Sequence, residues 1–212
     1  MISHKSKAPA VSEDGADTAP RTRGYAKGAA RREEILRGVI ELIETDGYRR
    51  QTLREIGQAL AIEPAHILYY FGSREELLQQ TIEFWDAQSF QDLLDPHHDS
   101  GLDLFVAAVR RNCEAPGMGH LFLSFAADAI DPTHSAHAFF KRRVKQIHAD
   151  LSQAVRQEQE QGRISLNIDS ALTARQLMAL ADGLQLQSLI SLKESAIDDL
   201  ARSVDRLRSR TV

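Results

Sequence analysis

The spacing of apolar residues predicts helices over most of this chain. From Ala29 to residue 46 the apolar side chains recur every three or four positions: Ile35, Leu36, Val39, Ile40 and Ile43. This interval places them on one face of a helix, which we expect to end at Gly47. Similar patterns in the second half predict helices over about 101–114, 117–130, 134–161, 170–191 and 194–209. The pattern therefore predicts an all-α fold.

Two much shorter helices are predicted between residues 52 and 71. Thr52 with Glu55 three residues later forms a capping box that opens a helix of about eight residues. Pro64 suits the first turn of the next helix, because its missing N–H would have no partner there. Gly72 stops that helix, and Ser73 opens a longer one by a second capping box.

Such short, closely spaced helices are typical of a helix-turn-helix unit, whose second helix enters the major groove of DNA. Ile67 and Phe71 are expected to face the protein interior. The other side carries Ala65, His66, Tyr69 and Tyr70. Small residues let the backbone approach base edges, and tyrosine hydroxyls can bond phosphate oxygens. The alternative is that both tyrosines are ordinary half-buried aromatics of a helical bundle.

Charge is unevenly distributed along the 212 residues, whose formal net charge is −4. That sum argues against a protein that coats nucleic acid indiscriminately. Residues 21–32 nevertheless hold only basic charges, on Arg21, Arg23, Lys27, Arg31 and Arg32. This basic arm could reach a minor groove, or it could be an untethered end of the polar tail predicted over residues 1–26.

Other classes of site find little support in the composition. Cys113 is the single cysteine, so an internal disulfide is excluded, and we expect a small buried hydrophobe there. A metal site could draw on the histidines at positions 97, 98, 120, 134 and 137, but no cysteine pair or HExxH motif accompanies them. We expect no metal and no cofactor. No apolar run approaches the roughly 20 residues that cross a bilayer, so we expect a cytoplasmic protein without membrane contact.

The segment from Arg31 to Leu78 carries GY at 47–48 and TLREIGQALAIEPAHILYYFGSREELL at 52–78. It resembles the DNA-binding domain of the tetracycline-repressor (TetR) family of bacterial regulators. The family pattern has a hydroxyl residue, an isoleucine-alanine pair, a glycine-valine turn, an aromatic cluster closing in phenylalanine, and a lysine. Here those positions hold Thr52, Ile56-Gly57, Ala61-Ile62, Leu68-Tyr69-Tyr70-Phe71 and Arg74.

The departures from the pattern have physical consequences. Ala61 replaces the turn glycine, so the turn must avoid a left-handed backbone or accept about 1 kcal/mol of strain. Leu68 stands where tyrosine is common, which removes one expected phosphate contact. Arg74 keeps the positive charge and adds a planar fork suited to phosphate.

The resemblance implies roles for single residues. Phosphate anchoring falls to Thr52, Tyr69, Tyr70 and Arg74. Base contacts fall to Arg54, Ala65 and His66, although a surface salt bridge is an alternative for Arg54. In a dimer, two recognition helices about 34–36 Å apart would enter successive major grooves of a palindromic site.

The last predicted helix carries a narrow apolar seam. Ile197, Leu200, Val204 and Leu207 step by three, four and three residues, and the preceding helix adds Leu184 and Leu189. Such a seam could pair with a second chain, and the resemblance implies dimerisation through the last two helices. The alternative is packing against helix 134–161 of the same chain.

The resemblance also implies a pocket for a small, often hydrophobic effector in the C-terminal half. The candidate wall residues are Trp85, Phe105, Met118, Phe122, Phe125 and Met178. Each could instead be ordinary core, since aromatic residues at helical spacing usually pack inside.

Three regions follow: a disordered, basic-ended tail (1–27), a three-helix helix-turn-helix DNA-binding domain (28–75), and an all-helical effector-binding and dimerisation domain (76–212). The predicted function is that of a dimeric repressor that binds an operator in double-stranded DNA and is released by a small molecule. The alternatives are an all-helical metal-dependent enzyme and a protein-binding adaptor.

Overall fold

The computed structural model describes residues 19–93, 101–191 and 196–209, with side chains in 27–88, 101–191 and 197–209. Within these ranges the regular structure consists of helices alone, which confirms the predicted all-α fold. The helices are α1 (Ala19–Asp46), α2 (Leu53–Leu60), α3 (Pro64–Phe71), α4 (Arg74–Leu93), α5 (Gly101–Glu114), α6 (Pro116–Asp128), α7 (His137–Glu160), α8 (Ser170–Ile190) and α9 (Ala196–Ser209). None of these described helices has the length and apolar content of a membrane span.

Helix α1 begins earlier than the apolar pattern predicts. It starts at Ala19 instead of near residue 29, so residues 19–27 of the predicted tail are helical. Alanine, arginine and lysine have high helix propensity, and Pro20 fits a first turn, so a polar sequence without periodicity can still be helical. Residues 1–18 lie outside the described ranges. The chain divides into compact units of residues 1–34 and 35–212; the functional boundaries at 27 and 75 stay predictions.

The predicted stop and start signals around the short helices are largely confirmed. Gly47 and Gly72 follow α1 and α3 with φ of 76° and 74°. Glycine adopts such positive φ values more readily than other residues. Thr52 caps α2 with both halves of the capping box formed. At α4 only one half forms: the Ser73 hydroxyl accepts from the Glu76 N–H at 3.0 Å, while the Glu76 carboxylate accepts from Gln80.

Two buried clusters form the core of residues 35–212. The first joins the helix-turn-helix region to α6 and the start of α7, from Ile35 to Phe140. The second is built by α5, α7, α8 and α9, from Leu102 to Val204. Helix α6 approaches α1 so closely that a Cβ on Gly117 would lie 2.1 Å from the carbonyl oxygen of Ile43. The core under the recognition helices therefore extends beyond the predicted DNA-binding domain.

Candidate nucleic-acid interface and effector cavity

The turn between α2 and α3 depends on two small residues. Ala61 follows α2 in the left-handed conformation, with φ 53° and ψ 39°. Of the two outcomes expected for this alanine, the strained backbone is therefore the one observed. The Ile62 N–H donates to the Gly57 carbonyl at 2.8 Å. A Cβ on Gly57 would lie 2.5 Å from the Ile62 carbonyl oxygen, so the glycine permits this approach. Together these contacts hold α3 at a fixed angle to α2.

Helix α3 has a buried side and an open side, as its sequence predicts. Ile67 and Phe71 are buried in the first core cluster. The open side carries Ala65, His66, Leu68 and Tyr69, all of them exposed. The Tyr69 side chain is the most open of these, since the residue keeps 82% of its surface accessible. This side of α3 can therefore meet a duplex without rearrangement of the chain.

Tyr70 does not share the exposure of Tyr69. It is half-buried and packs against the first core cluster, with its ring edge-on to Tyr69 at a centroid distance of 5.1 Å. Adjacent helical residues point about 100° apart, so one tyrosine can face outward while its neighbour leans inward. The half-buried alternative thus holds for Tyr70 and fails for Tyr69.

The exposed start of α2 carries Thr52 and Arg54. The Thr52 hydroxyl accepts from the Glu55 N–H at 3.3 Å and lies 2.7 Å from a Glu55 carboxylate oxygen, to which it donates. Hydrogen bonds from the Thr52 backbone and then from its hydroxyl lower the pKa of the Glu55 carboxyl. Arg54 makes no hydrogen bond or ion pair with any described residue, so the salt-bridge alternative for Arg54 is not seen there. Its guanidinium is open to solvent.

Arg74 is engaged within the protein. Its side chain is only 21% exposed, and its Nε donates to the Gln51 carbonyl at 2.6 Å. A second nitrogen donates to the Tyr48 hydroxyl at 3.2 Å, and a third lies 3.3 Å from Glu75. These bonds hold the loop that precedes the Thr52 cap. Arg74 is thus a positioning residue for α2, a role that sequence reasoning missed because the partners lie 23 and 26 positions away.

The basic arm is helical instead of extended. The backbone of residues 21–32 belongs to α1, which shortens its reach relative to an extended arm of equal length. Arg31 pairs with Glu34 one turn later at 2.6 Å, and Lys27 is exposed. The side chains of Arg21 and Arg23 lie outside the described residues.

A cavity of about 320 Å³ lies among α4, α5, α7 and α8, and α6 contributes Phe122 to its wall. Three of the predicted wall residues, Phe105, Phe122 and Met178, line it. The other three do not: Trp85, Met118 and Phe125 are buried in the first core cluster. Helical spacing identifies apolar faces, but it cannot tell which face meets a void and which meets another helix. The wall also includes polar side chains that the sequence did not single out: Asp86, Asn112, Arg143, Asp150, Asp182 and Gln185.

An ion pair forms one part of this wall. The Arg143 guanidinium donates from two nitrogens to the two carboxylate oxygens of Asp86, and its central carbon lies 5.2 Å from the centre of the Phe122 ring. Burial raises the pKa of Asp86, and Arg143 opposes that rise. Next to Asp86, the Trp85 indole donates to the Asn112 side chain at 3.0 Å. Helix α4 is thereby attached to α5 at the cavity.

The predicted dimer seam is an internal contact. Leu184, Ile197, Leu200 and Val204 are buried in the second core cluster, and Leu207 packs against it. Leu189 is half-buried, with both terminal methyls 4.0 Å from the position a Gly119 Cβ would take. The seam is therefore covered by helices of the same chain, because α9 contacts both α5 and α8. These residues are buried within the chain, but the main helix contacts of α9 are with α5 and α8 and not with helix 134–161, the partner that the alternative named.

The described histidines make separate local contacts. His134 Nδ1 lies 3.2 Å from the Ala136 N–H, which donates to it, and His137 Nδ1 lies 2.9 Å from the Ala129 carbonyl. His120 meets the Tyr48 ring edge-on at 5.5 Å. Among the described residues no three His, Cys, Asp or Glu side chains are grouped as a metal site would need. His97 and His98 lie outside the described ranges.

Comparison with known proteins supports the interface on α2 and α3. Residues 35–81 match the family model of the "Bacterial regulatory proteins, tetR family". Over 173 residues the chain is 27% identical to the HTH-type transcriptional regulator UidR of Escherichia coli (strain K12), spanning 81% of this chain and 84% of that protein.

Solved structures share the fold. One is a TetR transcription regulator from Haloarcula marismortui, with a TM-score of 0.71, 15% identity, and coverage of 85% of this chain and 97% of that one. Another is reduced E. coli NemR, with a TM-score of 0.64, 20% identity, and coverage of 83% and 96%. The family match falls on the helices whose open side is described above, and both the family and the similar proteins are regulators instead of enzymes. Residues 35–81 therefore carry the DNA-binding segment described by the tetR family model, and the chain is a DNA-binding transcriptional regulator.

Proposed function

We propose that this regulator is a homodimeric repressor of the bacterial cytoplasm that binds a palindromic operator through α3. A small molecule in the cavity among α4, α5, α7 and α8 would release it. The observation that carries the proposal is the open side of α3, where Tyr69 is 82% exposed above a buried row of Ile67 and Phe71. A helix whose apolar side is anchored in the core and whose exposed side is polar and aromatic suits insertion into a major groove.

The DNA contacts are proposed residue by residue. Arg54, Ala65 and His66 reach base edges, because they are exposed on α2 and on the first turn of α3. Tyr69 anchors a phosphate through its hydroxyl, and Thr52 does so when its hydroxyl hydrogen turns from the Glu55 carboxylate to the phosphate. Tyr70 and Arg74, which are partly buried, take a lesser share of the phosphate contacts and mainly hold the two helices in place.

A second copy is proposed to pack on an exposed strip of α8 that replaces the seam foreseen from sequence. Leu172, Leu186 and Ile190 are exposed apolar residues on this helix. Together with Gln176, Ala179 and Gly183 they recur at alternating steps of four and three, the spacing of a helix-pairing face. A Cβ on Gly183 would meet nothing within 4 Å, so the middle of the strip is open to close approach. Burying this α8 strip against its twofold copy would remove the exposed leucines from water.

Helix α4 is proposed to carry the signal. Asp86 of α4 lines the cavity, and the neighbouring Trp85 is bonded to Asn112 in the cavity wall. At its other end α4 begins with Arg74, which holds the loop before α2. A ligand that shifts α4 would therefore move the start of the helix-turn-helix. Coupling of this kind typically amounts to about 1–3 kcal/mol and is reciprocal, so operator DNA should weaken ligand binding equally.

The test is a gel shift with DNA from upstream of the chain's own gene, across a series of salt concentrations. We expect a salt-sensitive, sequence-selective complex. Arg54→Ala should weaken it by about 1–3 kcal/mol and relax the preference at one base position. Arg202→Ala, which removes an equally exposed arginine from α9, is the control and should change little. Binding that ignores sequence, or an equal loss in both variants, would count against the proposal.

A further inference from the structure

The cavity wall is apolar over most of its area, and apart from Asp150 on α7 its charges lie in two places. One is the Asp86–Arg143 ion pair, in which each group has the other as a partner. The other is α8, where Asp182 and Gln185 lie three residues apart and both line the cavity. Residues at this spacing share a helix face, so their polar groups can reach one ligand atom together.

Gln185 has an unmet acceptor. The residue is 5% exposed, and its Nε2 donates to the Ala181 carbonyl at 3.3 Å. Its Oε1 is buried and has no hydrogen-bond partner among the described residues. A buried acceptor without a donor is unfavourable, so a ligand that supplies a donor gains binding affinity there.

Asp182 has an unmet negative charge. It makes no hydrogen bond or ion pair with any described residue. The residue as a whole is exposed, yet partial burial of its carboxylate raises its pKa, with a smaller opposing effect from Arg143. Basic residues line a neighbouring groove that shares Asp182 with the cavity, namely Lys141, Lys145, His148 and Arg175, but none of them pairs with it.

The charges of the cavity wall disfavour the binding of an anionic ligand. The wall holds three carboxylates, Asp86, Asp150 and Asp182, against the single guanidinium of Arg143. Both terminal nitrogens of that guanidinium are engaged by Asp86, and only its buried Nε has no hydrogen-bond partner among the described residues. A carboxylate ligand would therefore enter a net negative space without a free cation, whereas a protonated amine would find one unpaired carboxylate and one unpaired amide oxygen.

We infer that the cavity binds an organic cation, with a protonated amine held by Asp182 and Gln185 and an apolar or aromatic body packed among Phe105, Phe122 and Met178. This inference rests on the proposed function in one respect, that the cavity is a ligand site. The volume of about 320 Å³ lies at the lower end of the range for small-molecule pockets, so a compact body fits it.

The experiment compares three probes with one skeleton: phenylbutylamine, phenylbutanol and phenylbutyrate. Calorimetry on the DNA-free full-length protein at neutral pH measures the Kd of each. We expect the amine to bind at least about tenfold more tightly than the alcohol, because its hydrogen bonds are charge-assisted, and the acid to bind most weakly. Asp182→Asn and Gln185→Leu should each remove most of the amine's advantage. Glu160→Gln, which neutralises an exposed acid outside the cavity wall, should leave it intact.

The outcomes separate the two proposals. Equal Kd values for the three probes, tighter binding of the acid, or no binding of the amine would overturn the cation inference. So would an amine preference that survives Asp182→Asn. A bound amine that leaves the operator complex untouched would argue against ligand-relieved repression while the ligand class stands. An anionic probe that fills the cavity and releases the operator would do the reverse.

Discussion

At the scale of single residues, the turn between α2 and α3 shows two departures from the family pattern that compensate each other. The pattern places alanine where this chain has Gly57, and glycine where it has Ala61. Because the Gly57 Cα approaches the Ile62 carbonyl, a side chain there would be 2.5 Å from that oxygen. The left-handed residue is Ala61, whose backbone is strained in this conformation. The turn keeps its shape with the small residues exchanged.

Replacing Ala61 by glycine should stabilise the fold by about 0.5–1 kcal/mol, because relief of the left-handed strain exceeds the added entropy of the unfolded chain. Urea unfolding measures the change. The control is Ala59→Gly, at an exposed position in the last turn of α2, which should destabilise by up to about 1 kcal/mol because glycine is a poor helix former. Two losses of similar size would contradict the strain in the turn.

The sequence predicts single residues well where the cause is local. The Thr52 cap and the stops at Gly47 and Gly72 depend on neighbours within a few positions, and all three are present. The difference between Tyr69 and Tyr70 depends on which side the core approaches, and the role of Arg74 depends on a loop 23 residues away. These could not be predicted because no local pattern encodes the partner.

At the scale of helices, the sequence predicts most boundaries to within a few residues, while the neighbours of each helix remain hidden. The apolar row of α9 was identified, from Ile197 to Val204, but it is buried within the chain instead of between chains. Periodicity defines a face and says nothing about what covers it. The early start of α1 was missed for a related reason, since a helix that needs no buried face leaves no apolar period.

Helix α9 is also held by a buried ion cluster near its end. Arg208 donates to both carboxylate oxygens of Glu158 on α7, at 2.8 and 2.7 Å, and to Asp103 on α5 at 3.0 Å. Glu158 is completely buried. These hydrogen bonds raise the pKa of Arg208 further above its already high value, so the guanidinium stays charged. The cluster ties three helices of the second core together.

Replacing Arg208 by methionine should destabilise the protein by about 3 kcal/mol, because the completely buried Glu158 would lose its two hydrogen bonds from this guanidinium. The unpaired carboxyl would then have a raised pKa, so the loss should shrink as the pH is lowered and Glu158 takes up a proton. Urea unfolding at several pH values measures both effects. Arg202→Met, on the exposed side of α9, should cost less than about 0.5 kcal/mol. A pH-independent loss would show that packing, not charge, is the cause.

At the scale of the whole molecule, the proposed assembly places one specific demand on the α8 strip. Leu186→Arg should convert the dimer to a monomer, since two arginines would face each other across the twofold axis. Analytical ultracentrifugation measures the mass, and operator affinity should fall with it, because one recognition helix reads only half a palindrome. The control is Leu166→Arg, in the connection before α8, where a leucine that is 79% exposed lies away from the strip. A monomer from the control, or a dimer that persists in Leu186→Arg, would contradict the interface.

The class of function could be predicted at this scale because it resides in one contiguous segment, residues 31–78, where spacing alone defines the motif. The cavity could not, because its wall is assembled from five helices, with residues separated by up to about a hundred positions. The polar residues of the wall indicate which ligand the cavity takes. They could not be identified from the sequence, because the spacing of apolar residues does not distinguish one polar residue of an amphipathic helix from another.

The continuous core from Ile35 to Phe140 has a practical consequence for anyone who recombines regulators of this kind. A DNA-binding segment cut out after α3 or α4 would lose Met118, Leu121 and Phe125 of α6, which belong to the same buried cluster, and would expose Ile43, which Gly117 of α6 approaches. A transferred DNA-binding segment should therefore include α6. Otherwise, the α6 of the host protein should be mutated so that a glycine lies opposite Ile43. The segment that must be transferred to change operator choice is therefore larger than the segment that contacts the bases.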